Sequence, residues 1–366
     1  MHRRVPVARR NLLADGRSLV AGVLGVGLAL MLVLLLDGLW QGVQRQATAY
    51  PDRVGADLFV TQPGIRDFLG ETSSIPRSTV QTVRDTRGVD WADPVRGQFV
   101  VFDLHTKKVA AYVIGSEPGG RGGPWAMADG RRPRRDDEIV VDRALAQRHG
   151  LGIGDRLGIG GSTLRIVGLA DASAPMTGFV FMAHATADEL FRTPDTTSFV
   201  LVGTDRPLVV RGRLERQGLS VLSADEVAAN DRRLYTDIFG SPLKVMVTVA
   251  FVTGALVVAL SVYASVIARR REYGIIKAIG ASGWTIAGMV VRQTLALSVI
   301  GLGVGAVLFL GARALLASLR PQFSVVLTTS GLVRALAAAI LMGLIASVVP
   351  VRRVAAADPA TVYRGT

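Results

Sequence analysis

Apolar residues in this chain are gathered into blocks. Leu19 to Leu36 holds no charged or strongly polar residue. About 18 residues at ~1.5 Å rise reach ~27 Å, near the thickness of a bilayer's hydrocarbon core. Ser18 and Asp37 to Trp40 mark its edges, and Trp40 suits an interface. Three more blocks follow: about Val245 to Ala268, Thr294 to Ala312, and Ala335 to Val351 with Pro350 near its end. The rival reading of the first block is a cleaved signal peptide, with Ala47-Thr-Ala as its site. The run is long for a signal h-region and no small-residue site follows it directly, so a retained span is expected.

Four spans place both termini on one side. Arg3, Arg4, Arg9 and Arg10 precede the first span, Arg269 to Arg271 follow the second, and Arg352 and Arg353 follow the fourth. All three clusters then share a side, which the excess of basic residues marks as cytoplasmic. One span more or fewer would strand a cluster outside. Arg313 and Arg334 fall at outer ends, where long side chains reach the headgroups. Arg292 and Gln293 read as anchors at the inner mouth of span three.

Between spans one and two, the pattern changes to short runs rich in Val, Ile and Phe, bounded by Gly, Pro and Asp. Strands are expected at Leu58 to Thr61, Gln98 to Asp103, Val109 to Ile114, Glu138 to Val141, Thr163 to Leu169, Phe179 to Met182 and Ser198 to Gly203. Helices are interleaved. Thr186 to Glu189 and Ser223 to Glu226 fit the capping-box pattern, and Pro76 suits a first turn leading into Ser78 to Arg87. Gly115 to Arg135 reads as irregular. Some 200 residues suffice for a cored α+β domain.

Composition narrows the function. The net charge of +13 would suggest nucleic acid in a soluble protein, but many arginines flank spans and face lipid instead. There is no cysteine, hence no disulfide or thiolate site. His2, His105, His149 and His184 are scattered, and none has the i, i+4 spacing of a helical metal pair. Neither a P-loop pattern nor a Gly-x-Ser-x-Gly or His-Glu-x-x-His element occurs. Gly152 to Gly161 fit no phosphate-binding template and read as turn glycines. The spans carry no acidic residue at mid-membrane, which disfavours ion-coupled transport. Gly301-Leu-Gly-Val-Gly305 in span three, with Gly22, Gly25 and Gly27 in span one, should let helices approach closely.

Three stretches carry a family resemblance. Arg269-Arg-Arg-Glu-Tyr-Gly-Ile-Ile-Lys-Ala-Ile-Gly-Ala281 resembles the cytoplasmic coupling segment of MacB/FtsX-like ABC transporter permeases. Ala146, Gly150, Leu151, Gly154 and Asp155 are similar to a helix end and turn of the MacB-like outer core domain. Pro350-Val-Arg-Arg to Asp358-Pro359 resembles the family's C-terminal pattern, with Val354 and Tyr363 departing from it. Ala8-Arg-Arg-Asn-Leu-Leu resembles its amphipathic N-terminal helix.

The resemblance implies a membrane α-helical protein of type VII ABC architecture, with four transmembrane helices and a large α+β extracytoplasmic domain between the first two. The expected parts are a cytoplasmic amphipathic helix at 1–17, span one at 18–40, an outer MacB-like core domain at 41–242 and span two at 243–268. A coupling segment at 269–291, span three at 292–315, an outer loop at 316–333, span four at 334–351 and a cytoplasmic tail at 352–366 complete it. The implied coupling residues are Arg270, Arg271, Glu272, Gly274, Lys277, Ala278, Gly280 and Ala281. Gly274, Ala278 and Ala281 would form one flat stripe if the segment were a single helix. The C-terminal motif is Pro350, Arg352, Arg353, Asp358 and Pro359, and the helix-packing glycines are Gly22, Gly25, Gly301 and Gly305.

The implied function is that of a permease subunit in a bacterial cytoplasmic membrane, itself no enzyme, with no cofactor of its own. ATP and Mg²⁺ would sit on a separate cytoplasmic ATPase. A second copy or a paralogous permease, membrane lipid, and an extracytoplasmic adaptor or hydrolase are the further partners expected; nucleic acid is not. Export of a drug, lipid or peptide is the leading expectation. The alternative is an FtsX-type regulator that activates an outer cell-wall hydrolase without moving a substrate. A ligand sensor would need a cytoplasmic signalling region, and none is visible.

Overall fold

The computed structural model describes Gly16–Ala355 apart from His105, Thr106, Met176, Arg269 and Gln322. The chain divides into two units. One holds the apolar helices; the other is Gly42–Gly240 with Ala317–Ser324.

The helical unit is built from α1 (Gly16–Ala47), α7 (Ala224–Ala268), α9 (Gly283–Leu319) and α10 (Thr329–Ala355), with the short α8 (Arg270–Ala278) between α7 and α9. These four long helices are long and apolar enough to cross a membrane. Helix α1 shows how: Val20, Leu24, Leu28 and Leu32, four apart, are exposed, whereas Val23, Val26 and Leu30 are buried. A helix apolar all round presents one face to its neighbours and the rest to lipid. Val26 and Leu30 meet Val258, Val262, Val290, Leu297, Ala339 and Met342 in one core. Pro350 does not end α10; the helix runs on to Ala355. Residues 1–15 and 356–366 lie outside the described residues, which takes in most of the expected N-terminal helix and Asp358 and Pro359.

In the outer domain the elements run α2 (Ala49–Arg53), β1 (Leu58–Thr61), β2 (Ile75–Pro76), α3 (Ser78–Arg84), β3 (Trp91–Leu104), β4 (Lys107–Ser116), β5 (Met127–Gly130), β6 (Glu138–Asp142), α4 (Arg143–His149), β7 (Arg156–Ile159), β8 (Ser162–Ala170), β9 (Phe179–Ala183), α5 (His184–Phe191), β10 (Thr196–Thr197), β11 (Phe199–Gly203), α6 (Pro207–Arg216) and β12 (Ser220–Ser223). One sheet has the order β12-β1-β11-β3-β4-β9-β6-β8-β5, with β7 on β8, and β2 pairs β10 apart from it. The pairs β4–β9 and β6–β8 are parallel and the rest antiparallel.

Register sorts the side chains. Residues directly opposite across a ladder share a face. Phe59 opposes Leu201, Phe99 opposes Tyr112, and Tyr112 opposes Phe179. That face carries the aromatic rings. The alternate residues form two aliphatic clusters. Leu58, Val60, Val200 and Val202 pack with Val80, Val83, Val210 and Leu214 of α3 and α6. Val113, Ile139, Val141 and Val180 pack with Leu145 and Ala146 of α4 and Ala187 of α5. Strands β1, β6, β9 and β11 are buried at every position, covered on both faces, which is why they read as continuous apolar runs.

Each expected strand run coincides with or lies within an observed strand, except that β11 opens at Phe199 rather than Ser198. Some local readings need correction. Pro76 opposes Thr196 in a short ladder rather than opening a helix. Helix α3 ends at Arg84, and Thr86 turns its hydroxyl back to the Thr82 carbonyl ahead of a left-handed Gly88. Helix α5 starts at His184, so Thr186 lies inside it and its hydroxyl donates to the Asp136 carbonyl instead of capping. The segment Gly115 to Arg135 contains the end of β4 and the whole of β5, which pairs β8. The second capping box does form: Glu226 N donates to Ser223 Oγ and Ser223 N to Glu226 Oε2, at 3.2 and 2.8 Å.

Candidate coupling corner and interhelical seam

Helix α8 is stopped by a specific turn. Ala281 N donates to the Ile276 carbonyl at 3.2 Å and Gly280 N to the Lys277 carbonyl at 3.1 Å, with Gly280 at φ +99°. This pair of bonds around a left-handed residue is the Schellman stop, and glycine adopts it without Cβ strain. Ser282 follows at once and caps α9, with Thr285 N donating to its Oγ at 3.2 Å. The result is a sharp corner between two helices. It separates Gly274 and Ala278, which are in α8, from Ala281, which is past the turn. The expected three-residue stripe on one helix therefore does not form.

The described side chains of α8 divide by face. Tyr273 and Ile276 pack against the bundle core. Glu272, Ile275 and Ile279 are exposed, Gly274, Lys277 and Ala281 half-buried. Ile279 is 80% exposed and Trp284, at the start of α9, is 89% exposed. Arg270 and Arg271 open the helix. The corner thus exposes Glu272, Ile275, Ile279 and Trp284. These apolar residues were not singled out in the sequence. Their signal was present: Ile275 and Ile279 are i, i+4, on a different face from Tyr273 and Ile276.

Glycines form the seam between α1 and α9. A Cβ on Gly301 would fall 2.5 Å from Val26 Cγ1, and one on Gly305 would fall 2.8 Å from the Gly27 carbonyl oxygen. Gly22 lies against Ser261 and Gly25 against Val257, both on α7. Gly303 has open space beside it. Gln293 donates to Ser265 Oγ at 3.1 Å, so it joins α9 to α7 as well as marking the inner mouth. Pro350 is buried and Arg352 exposed.

The outer domain contains one arrangement that looks catalytic. His184 Nδ1 is 3.0 Å from Asp188 Oδ2 and its Nε2 3.1 Å from Thr197 Oγ1. His184 and Thr197 are both fully buried, and the Thr197 hydroxyl has the Val95 carbonyl at 3.0 Å. Asp188 is also claimed by Arg96 and Arg77. Burial lowers the His184 pKa against the pull of Asp188, and the buried ring sits in a network with Thr197, Asp188 and Arg77. Among the described residues no group of His, Asp and Glu could hold a metal ion.

A bundle of four membrane helices carrying an α+β domain between the first and second, with a basic helical corner after the second, defines a permease-type membrane protein. Two family models agree: MacB-like periplasmic core domain matches residues 18–227, and FtsX-like permease C-terminal matches residues 244–359. The chain belongs to this MacB/FtsX-like family of ABC transporter permeases. It is 30% identical over 354 residues to the uncharacterized ABC transporter permease Rv2563 of Mycobacterium tuberculosis strain H37Rv, across 95% of this chain and 96% of that one. It is 29% identical over 367 residues to the uncharacterized ABC transporter permease Rv0072 of the same strain, across 98% and 99%. Among solved structures, the periplasmic region of MacB from Actinobacillus actinomycetemcomitans is 10% identical, with a TM-score of 0.38 over 49% of this chain and 92% of that one. The extracellular domain of the noncanonic ABC-type transporter YknZ from Gram-positive bacteria is 13% identical, with a TM-score of 0.37 over 46% and 98%.

Proposed function

We propose that the chain is the membrane subunit of an ATP-driven exporter in a bacterial cytoplasmic membrane, working as two copies with two cytoplasmic ATPase subunits. Membership of the family implies the ATPase partner. The chain has no P-loop, so hydrolysis is assigned to that partner. The observation that carries the reading is the α8–α9 corner. It exposes Glu272, Ile275, Ile279 and Trp284, which follow in sequence the basic cluster that the charge rule puts in the cytoplasm. Exposed large apolar side chains are the kind of anchor that a protein partner grips.

ATP-driven closure of the ATPase pair would push this corner and shift helices α1 and α7. The substrate would be a drug, lipid or peptide handled at the outer domain. The test is reconstitution of the full chain in lipid nanodiscs with the ATPase isolated alongside it from membranes. Stimulation of ATP hydrolysis by the wild-type chain, lost in Ile279→Asp and Trp284→Asp, supports the reading. Full stimulation by both variants overturns it. Activation of a cell-wall hydrolase with no substrate movement would instead point to the regulator reading.

A further inference from the structure

Asp231 lies on the outer-domain turns of α7 in an otherwise apolar stripe: Val227, Ala228 and Tyr235 are buried beside it, and Asp231 itself is wholly buried. Its Oδ1 accepts from Phe68 N at 3.0 Å and from Leu69 N at 2.9 Å. Its Oδ2 is buried with no partner. On either side, Asn230 donates to the Arg66 carbonyl at 2.9 Å, and Leu234 packs where a Cβ on Gly70 would fall, 2.6 Å away. Three successive contacts therefore hold the Gln62–Ser74 loop on this helix.

The loop's central residue is held from other directions too. The Phe68 ring stacks on Tyr50 of α2 at 4.2 Å between centroids and 9° between planes. It also meets Tyr112, Phe59 and Phe199 of the sheet. The Tyr112 hydroxyl donates to the Phe68 carbonyl. Phe68 is thus where α2, just after α1, meets the outer segment of α7 and the aromatic face of the sheet.

We propose that Asp231 and Phe68 form a proton-dependent clasp that holds the Gln62–Ser74 loop to helix α7, closed while the carboxyl is protonated and loosened when it ionises. The orphan oxygen is the geometric reason. A neutral acid tolerates one oxygen without a partner in an apolar site, whereas a carboxylate there is costly. Burial raises the Asp231 pKa; the Leu69 and Phe68 amides oppose this and the Asp67 carboxylate reinforces it, leaving it at about 8. The other titratable groups that face it are phenols: Tyr112 of β4 and Tyr235 one turn along α7, both raised in pKa by burial with a contribution from Asp231. Among the described residues no cationic side chain is paired with it. The Asp67 carboxylate is occupied with two amides of the loop's own turn, Gly70 N at 2.8 Å and Glu71 N at 2.9 Å.

Hydrogen exchange of the Phe68 and Leu69 amides, read by mass spectrometry on the full chain in nanodiscs, tests this. Opening exposes a carboxyl of ordinary pKa, so ionisation favours the open loop as pH rises. After correction for intrinsic exchange, wild-type protection should fall about tenfold per pH unit between pH 5 and 7 and level off above about 8. Asp231→Asn keeps the accepting oxygen without the charge, so its protection should not vary with pH. Asp231→Leu removes the acceptor and should open the loop at every pH, while amides of the β3–β4 ladder stay protected. A flat wild-type profile, an Asp231→Asn profile that tracks the wild type, or retained protection in Asp231→Leu overturns the proposal. The readout does not depend on transport or on an ATPase, so it stands apart from the exporter reading.

Discussion

Arg334 grips Asp37 across the outer ends of helices α10 and α1. Its Nε donates to Oδ1 at 2.9 Å and its Nη2 to Oδ2 at 3.0 Å. A Cβ on Gly331 would fall 2.6 Å from the same carboxylate, so α10 comes close there. The arginine expected to reach for headgroups is used instead to tie two spans. The pair is partly exposed, at 51% for Arg334 and 21% for Asp37. Water screens such a pair, so a modest coupling of about 1 kcal/mol or less is expected from a double-mutant cycle on Asp37→Asn and Arg334→Gln. Thermal unfolding in detergent at low and high salt checks it. Additive single variants would show that the fork contributes nothing.

The glycine seam gives a sharper contrast. Gly301→Leu and Gly305→Leu must push α1 away from α9 and should destabilise the bundle by about 1–3 kcal/mol. Gly303→Leu, two residues from each, points into open space and should be tolerated. Thermal stability of the three variants in one detergent decides; equal effects would refute the seam.

At the corner, two kinds of variant should part company. Glu272→Lys, Gly274→Trp and Ile279→Asp alter the surface and should leave folding intact while uncoupling the ATPase; loss of a docking anchor costs about 2 kcal/mol or more of binding. Gly280→Val forces a branched residue to φ +99° and should cost about 1–3 kcal/mol of stability. Melting curves and stimulated ATP hydrolysis, measured together, separate the classes.

Outer-domain stability should peak at mildly acidic pH. Glu138 is held down at about 2, first by its bond from Arg131 and further by Arg134 N and Arg165, against the cost of burial. Its contribution is present above about 4.5 and lost as pH falls toward 2. Asp142 caps α4 and is raised by burial to about 7, so its contribution is present below about 4 and lost as pH rises through 7. Asp142→Asn preserves the cap and should flatten part of the alkaline slope, the remainder belonging to Asp231. Melting temperature against pH for both proteins checks the sign; an unchanged slope would refute it.

Topology is open to labelling, since the chain has no cysteine of its own. Cysteines at Ser18, Ser282 and Thr361 should resist an impermeant thiol reagent in intact cells. A cysteine at Asp205, which is exposed on the outer domain, should react. Reaction at Ser282 would invert the arrangement.

The membrane helices, the α+β class of the outer domain and the family are all legible in the order of the residues. Each rests on a local signal: apolar runs of span length, short runs rich in Val, Ile and Phe between turn residues, and contiguous motifs such as Arg271-Glu-Tyr-Gly and Gly280-Ala. The strands at Glu138–Val141 and Thr163–Leu169 and the helix end at Ala146–Gly150 were legible because each is marked by its own neighbouring residues. Which residues meet is a matter of packing. Asp37 and Arg334 are far apart in sequence, as are Phe68 and Asp231, and no local pattern pairs them. Gly301 and Gly303 look alike in the chain, yet one faces Val26 and the other faces open space. Pro76 was misread because a proline that can open a helix can equally sit in a short edge ladder, and the partner strand that decides between them arrives more than a hundred residues later. Local geometry is set by a residue and its near neighbours; pairing is set by the whole packed chain.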